Sequence, residues 1–266
     1  MSRLEATETY RVLQAVRERG PLVHCLTNIV VAGFTANVLL AVGASPAMVE
    51  NDREAAEFAA IADALLVNLG TLSAERARAM RLAAESATAH ERPWVLDPVA
   101  VGAMSFRTDL AAELLEHRPA VVRGNSSEVL SLAGAAGAGR GVDSTVSSDA
   151  AVSVAGDLAR RTGAVVAVSG EVDYVTDGSQ TLEVHTGHPL MTKVTGVGCA
   201  LGALVAAFSA VEPSPLVAAA AATIVLTVAA EEAAAASSGP GSFAVALLDA
   251  LSVLDQPTLV ARTAAR

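Results

Sequence analysis

The sequence predicts an α/β fold in which a mostly parallel central sheet is covered by helices on both faces. Three observations support this prediction. Short, continuously apolar runs recur along the chain, helix-period segments separate most of them, and a small polar cluster follows each run. Strands buried on both faces are apolar without alternation. Their alternation with helices is typical of parallel strands joined by crossover connections.

The predicted elements follow in chain order. Five runs are predicted to form parallel strands: Leu22–Leu26, Ala64–Val67, Trp94–Leu96, Ala120–Val122 and Ala164–Val168. Tyr174–Thr176 and Thr181–His185 are predicted to form a β-hairpin at the sheet edge. The predicted helices are Asp52–Ala62, Ala74–Ala89 and Ser148–Arg161, and then the Ala-rich Ala200–Val211, Pro215–Ala236 and Ser242–Leu254. No linker divides the chain, so residues 1–266 are expected to form a single domain.

Composition restricts the partners and the compartment. The chain has 18 basic and 28 acidic residues, a net charge of −10, which argues against nucleic acid as a partner. A membrane span needs about 20 apolar residues. The longest candidate, Leu216–Ala230, contains two threonines and ends at Glu231, so we interpret it as a buried helix and expect no membrane. Two cysteines and no signal-peptide pattern predict a reducing, cytoplasmic setting.

Polar side chains lie at the end of each predicted strand. They include Asn28, Asn68, Asp97, Arg123 and Ser169. Ligands of open parallel sheets bind beyond the carboxyl ends of the strands. These amide, carboxylate, guanidinium and hydroxyl groups suit a polar small molecule and a phosphate-bearing partner.

The segment from Lys193 to Cys199 precedes a helical pattern and contains Gly196 and Gly198. Glycines before a helix N-terminus favour the binding of an anion, although a tight turn into the helix explains the same spacing. The helix dipole would favour a thiolate at Cys199, whereas a small buried side chain is the plainer interpretation. Lys193 is the only lysine, and it either supports a phosphate site or lies on the surface.

Two carboxylates are candidates for Mg²⁺ and phosphate chemistry. Asp97 ends an apolar strand, where a carboxylate can hold Mg²⁺ or serve as a turn residue. Glu128 follows Asn125 at the spacing of a capping box, which is the favoured reading of that pair from spacing alone. Both carboxylates come from adjacent strand ends, and Arg123 can reach a phosphate beside them.

The sequence lacks the motifs of a zinc site, a serine hydrolase and a Rossmann dinucleotide-binding site. The five histidines are scattered without the spacing of a zinc pair. A Gly-x-Ser-x-Gly elbow and a dinucleotide-binding Gly-x-Gly-x-x-Gly after the first strand are also absent from the sequence.

Taken together, these segments resemble the hydroxyethylthiazole kinase family of the ribokinase-like superfamily. The matching stretches occur in the family's order across nearly the whole chain: Leu26–Asn37, Gly43–Met48, Asn68–Leu72, Leu96–Gly102, Arg123–Glu128, Ser169–Asp173, Gly187–Cys199 and Gly239–Phe243. The resemblance implies a ribokinase-like fold without a separate lid. It also implies ATP- and Mg²⁺-dependent phosphorylation of the primary alcohol of 5-(2-hydroxyethyl)-4-methylthiazole, a thiamine salvage step. A homotrimer with the thiazole site at a subunit boundary is implied as well.

The resemblance also implies roles for individual residues. Asn28, Met48 and Gly196 match thiazole-binding positions, Asp97 and Glu128 match the Mg²⁺–phosphate carboxylates, and Cys199 matches the catalytic position. The remaining roles are ATP binding by Arg123, Asn125 and Ser169, and an anion hole formed by Gly196, Val197, Gly198 and Cys199. Many relatives carry Thr at position 169, but the hydroxyl is kept.

Three readings of the function remain open at this point. The thiazole kinase leads. A pyrimidine-alcohol kinase or an ATP-dependent dehydratase of damaged nicotinamide cofactors would keep the fold, but the segments at Thr27–Val30 and Ser45–Met48 match thiazole-contact regions instead. A non-catalytic nucleotide-binding subunit could dispense with Asp97, Glu128 or Cys199, yet all three are present.

Overall fold

A computed structural model describes residues 1–135 and 148–264. In these residues, eight strands form one sheet in the order β2-β1-β3-β4-β5-β6-β7-β8. The strands are β1 (Leu22–Leu26), β2 (Ser45–Ala47), β3 (Ala64–Asn68), β4 (Trp94–Asp97), β5 (Val121–Asn125), β6 (Val165–Ser169), β7 (Asp173–Thr176) and β8 (Thr181–Val184). Strands β1 to β6 pair in parallel, and β7 and β8 form an antiparallel hairpin at one edge. The predicted α/β fold, with a mostly parallel sheet, is confirmed.

Helices cover both faces of this sheet. They are α1 (Ala6–Arg19), α2 (Ala32–Ala41), α3 (Ala55–Ile61), α4 (Ala74–Ala89), α5 (Ser105–Leu115), α6 (Ser126–Ala135), α7 (Ser148–Thr162), α8 (Val197–Ser209), α9 (Pro215–Ala235), α10 (Pro240–Val253) and α11 (Gln256–Ala264). The side chains of β3 alternate between two hydrophobic cores. Leu66 packs into the core beneath α8 and α9, and Leu65 packs into the core beneath α4. Both faces are apolar, which explains the continuous apolar runs in the sequence.

Several element bounds differ from the sequence prediction by one to three residues, and two differences bear on the site. Strand β2 was not predicted, because Ser45–Ala47 is short and contains a proline, a residue that sheets tolerate at an edge. It joins the main sheet beside β1 and does not form a separate lid. Helix α8 begins at Val197, three residues earlier than predicted, because Gly196 adopts a φ of 97° and caps the helix.

Helix α9 is the only described α-helix that is by itself long and apolar enough to cross a membrane. Its most apolar window is 89% buried inside the fold. The apolar residues of α9 are therefore covered by α1, α8, α10 and the sheet. This arrangement agrees with the interpretation of Leu216–Ala230 as a buried helix.

Candidate functional site

The carboxyl ends of β1, β3 and β4 are joined by a chain of side-chain hydrogen bonds. Asn28 follows β1 and donates to Asn68 Oδ1 at 3.1 Å, and Asn68 in turn donates to Asp97 Oδ2 at 2.7 Å. The second link is built by the sheet register, because Asn68 and Asp97 are paired residues of β3 and β4. Gly70 leaves the space that Asn28 needs, since a Cβ at Gly70 would lie 2.6 Å from the Asn28 Cβ. We call Asn28, Asn68, Asp97 and Cys199 the polar cluster.

Asp97 is the one carboxylate of the polar cluster, and its pKa departs strongly from the ordinary value. Its side chain is fully buried, and burial raises its pKa to about 7, opposed by the positive charge of Arg123. Arg123 Nη1 lies 3.9 Å from Asp97 Oδ2. In contrast, Asp97 Oδ1 is buried and has no hydrogen-bond partner in the described residues. A buried carboxylate oxygen without a partner is costly, and it indicates a place for a ligand or cation.

Cys199 lies in the first turn of α8 and belongs to the polar cluster through its contact with Asn28. Asn28 Nδ2 lies 3.4 Å from Cys199 Sγ and donates to it. The structure favours the plainer of the two interpretations, a small, largely buried side chain. Burial, followed by the nearby charge of Asp97, raises the pKa of the Cys199 thiol above its usual value. The thiol is therefore protonated at neutral pH.

The start of α8 also faces Arg123. A Cβ on Gly198 would lie 3.3 Å from Arg123 Nη1, so the absence of a side chain brings the backbone close to the guanidinium. Arg123 is mostly buried and donates from Nη2 to Ser169 Oγ at 2.7 Å, while its Nε is buried without a partner in the described chain. A cationic fork beside a helix N-terminus is suited to a phosphate group. Gly196, Val197, Gly198 and Cys199 are consecutive at this N-terminus.

Asn125 and Glu128 form the capping box that their spacing predicts. Asn125 Oδ1 accepts from the Glu128 N–H at 2.9 Å, and Glu128 Oε2 accepts from the Asn125 N–H at 2.9 Å. The second oxygen of Glu128, Oε1, accepts from the Ala100 N–H at 3.0 Å. Glu128 therefore has a structural role whether or not it binds a metal, and its charge helps to raise the pKa of Asp97.

Met48 is half-buried and directly follows β2, so it lies at the same edge of the sheet as Asn28. Lys193 ends a short 3₁₀ turn, Pro189–Lys193, and its side chain is exposed.

The sequence prediction did not assign a role to two polar residues of this edge. Asn68 links Asn28 to Asp97, and its position at a strand end was the available signal. Asp173 begins β7 and accepts from the Gly170 N–H at 2.9 Å. Its removal from water raises its pKa to about 6, opposed by that hydrogen bond and by Arg123.

The donor set fits a magnesium ion that is shared with a nucleotide. The described residues contain no group of three or more His, Cys, Asp or Glu side chains able to hold a metal alone. Mg²⁺ is commonly held by one or two carboxylates together with substrate phosphates and water. The unpartnered Oδ1 of Asp97 meets that requirement.

Comparison with known proteins gives consistent results. A family model described as the Hydroxyethylthiazole kinase family matches residues 13–257. This chain is 56% identical to a protein named hydroxyethylthiazole kinase from Leptospira borgpetersenii serovar Hardjo-bovis (strain JB197), and the match covers 94% of each chain. It is 60% identical to a protein of the same name from Kineococcus radiotolerans, and that match covers 91% of this chain and 88% of the relative. The solved structure of the hydroxyethylthiazole kinase protein from Pyrococcus horikoshii OT3 has a TM-score of 0.89 and 41% identity over 95% of both chains. A ribokinase-like superfamily protein from Enterococcus faecalis V583 shares the fold, with a TM-score of 0.68 at 13% identity over 97% of both chains.

Proposed function

Since the chain belongs to the hydroxyethylthiazole kinase family, we propose that its phosphoryl transfer takes place at the polar cluster and the N-terminus of α8. The reaction is the ATP-dependent phosphorylation of the primary alcohol of 5-(2-hydroxyethyl)-4-methylthiazole, a step of thiamine salvage. The observation that carries the proposed location is the convergence of three strand ends and one helix N-terminus on the polar cluster, in which Asp97 keeps a buried Oδ1 without a partner in the described residues.

Asn28, Met48 and Gly196 bind the thiazole alcohol in this proposal. Asn28 supports this assignment because its amide contacts Cys199 Sγ and so lies beside the reacting position. Met48 offers a partly buried apolar side chain at the same edge of the sheet, and such a surface suits an aromatic ring.

The N-terminus of α8 and three polar residues bind the phosphates. The backbone N–H groups of Gly196, Val197, Gly198 and Cys199 form the anion hole, and Arg123, Ser169 and Asn125 bind ATP. Support comes from the Arg123 guanidinium, which would lie 3.3 Å from a Cβ at Gly198, and from the hydrogen bond of Arg123 to Ser169. Phosphoryl transfer depends mainly on positioning and on neutralisation of charge, which donors of this kind provide.

Cys199 is proposed to locate the alcohol and to contribute only modest base character. A thiol whose pKa is raised by burial holds its proton at neutral pH, so few molecules carry a thiolate ready to accept a proton. Complete loss of activity in both Cys199→Ser and Cys199→Asp would contradict this modest role.

Asp97 and Glu128 are the proposed residues for Mg²⁺. When bound, Mg²⁺ neutralises negative charge on the phosphates. The two carboxylates hold it at the ends of adjacent strands, and Asp97 has the free oxygen that this requires.

The proposal extends to the domain organisation, the oligomeric state and the cellular location of the enzyme. Residues 1–266 form a single kinase domain, supported by the one sheet that contains all the described strands. The enzyme is a cytoplasmic homotrimer with the thiazole site at a subunit boundary. Ile29 and Val30, which are 71% and 70% exposed next to Asn28, supply apolar surface for such a boundary.

A coupled ADP-release assay tests the function. The purified chain is incubated with Mg²⁺, ATP and the thiazole alcohol, with hydroxymethylpyrimidine as the alternative alcohol. We expect ADP release that depends on the thiazole. Turnover of the pyrimidine without turnover of the thiazole would overturn the assignment.

A further inference from the structure

We propose that Arg76 is a positioning residue for the thiazole alcohol, because its guanidinium ties together the two loops that carry Asn28 and Met48. The inference rests on the proposed thiazole-binding role of those two residues. Arg76 itself has no part in the chemistry assigned above.

Arg76 reaches both loops from the first turn of α4. That helix is capped by Ser73, whose Oγ accepts from the Arg76 N–H at 3.2 Å. The Arg76 side chain is 15% exposed and donates from Nη2 to the carbonyl oxygen of Thr27. Its Nη1 donates to Glu50 Oε2 at 2.6 Å. One guanidinium therefore joins the segment that follows β1 to the segment that follows β2.

Both contacts lie next to residues with proposed roles in substrate binding. Thr27 precedes Asn28, and Glu50 lies two residues after Met48. His24 adds a second restraint on the Met48 loop, since its Nε2 lies 2.8 Å from the Val49 carbonyl oxygen. Removal from water lowers the pKa of His24, so the neutral ring donates this bond. The Met48 loop is thus held at two consecutive residues, Val49 and Glu50.

The planar fork of arginine is required for this bridge. A guanidinium presents several N–H donors in a fixed arrangement, whereas the lysine ammonium is a compact point charge on a flexible stem. Arg76→Lys keeps the positive charge but cannot hold the two acceptors in the same geometry. A small displacement of substrate-positioning groups can greatly reduce activity.

The same helix offers a matched control. Arg81 of α4 pairs with Glu113 of α5 through a 2.7 Å contact from Nε to Oε1. At 3.6 residues per turn, Arg81 lies about 140° around the helix from Arg76. Arg81→Lys makes the same chemical change in the same helix without altering the bridge between Thr27 and Glu50.

The test compares the KM values of the two substrates. For Arg76→Lys we expect the KM for the thiazole alcohol to rise about tenfold, the size expected when a charge-assisted hydrogen bond is lost. We expect the KM for ATP to change less than about twofold, because the hydrogen bonds of Arg76 in the described residues go to Thr27, Glu50 and Ser73, none of which is proposed to bind ATP. We expect Arg81→Lys to leave both values unchanged. Glu50→Gln should give a smaller rise in the thiazole KM, and it tests the bridge even where Arg76→Lys fails to fold.

Two results would overturn the positioning role. One is an unchanged thiazole KM in folded Arg76→Lys and Glu50→Gln. The other is a parallel change in both KM values and in the melting temperature, which is the sign of general destabilisation. Failure of the proposed thiazole site itself is distinguishable, because Asn28→Ala and Met48→Ala would then also leave the thiazole KM unchanged.

Discussion

The carboxyl ends of β4 and β5 each lead to one carboxylate, and the surroundings of the two differ. Both oxygens of Glu128 accept hydrogen bonds from backbone N–H groups, of Asn125 and Ala100. Asp97 is fully buried, but its Oδ1 has no partner in the described residues, and its pKa is raised to about 7. Protein folding satisfies Glu128 by itself, whereas Asp97 needs a ligand to complete its interactions. Glu128 therefore stabilises the fold in addition to its proposed role toward Mg²⁺, whereas the proposed role of Asp97 toward metal and substrate rests on the oxygen that the fold leaves without a partner.

Asp97→Asn should produce the largest effect on activity. We expect kcat to fall about 100- to 1000-fold, the range typical of losing one group that stabilises charge in the transition state. The melting temperature should not fall, because the change removes a buried charge whose partners are incomplete. Steady-state kinetics and thermal unfolding of the same preparation check both statements. A lower melting temperature with near-normal kcat would place Asp97 among the residues that maintain the fold.

Glu128→Ala should show the opposite balance. Two backbone N–H groups lose their acceptor, so we expect the free energy of unfolding to fall by about 1–3 kcal/mol. The value of kcat should also fall, though less than in Asp97→Asn, and the affinity for the thiazole should change little. Urea unfolding and kinetics measure these effects, and Glu128→Gln, which keeps one acceptor oxygen, is the matched control. Unchanged stability would contradict the capping role.

Gly198→Ala tests whether ATP binding depends on the close approach of the Gly198 backbone to the Arg123 guanidinium. The new Cβ would lie 3.3 Å from Arg123 Nη1 and would displace the guanidinium. We expect the KM for ATP to rise about fivefold, in line with the cost of overpacking. Gly241→Ala, where a Cβ meets no atom of the described chain within 4 Å, is the matched control. Equal effects in the two variants would show that the guanidinium does not bind ATP.

Asp173→Asn should have the smallest effect, seen only in the pH dependence of stability. The folded-state pKa of Asp173 is about 6, above its ordinary value of 3.8. Its contribution to stability is therefore complete below pH 4 and is lost as the pH rises through 6. Between pH 5.5 and 7.5, the wild type should lose about 1 kcal/mol of unfolding free energy more than Asp173→Asn. Identical pH profiles of urea unfolding would contradict this expectation.

The sequence predicted the central strands well because their physical signal is strong. Residues 64–67 and 94–96 are apolar throughout, residues 22–26 are apolar except for His24, and the structure confirms strands there. Strand β2 escaped prediction because three residues at an edge carry little pattern. The sequence also placed Asn28, Asp97 and Arg123 at one edge of the sheet.

Other features depend on tertiary structure and could not be predicted. The link from Asn28 through Asn68 to Asp97 requires the register between β3 and β4. The direction of the shift in the Cys199 pKa depends on burial and on the charge of Asp97, which outweigh the hydrogen bonds from Asn68 and Asn28 and the charge of Arg123. The Arg76 bridge connects Arg76 to Thr27, which lies 49 positions earlier in the sequence, and to Glu50, which lies 26 positions earlier.

The most direct test of the difference between the two regions is a calorimetric titration with a non-hydrolysable ATP analogue, with and without Mg²⁺. If Asp97 holds the metal with the phosphates, Mg²⁺ should strengthen binding of the analogue to the wild type about tenfold or more. It should have little effect on binding to Asp97→Asn. The same strengthening by Mg²⁺ in both proteins would contradict the account.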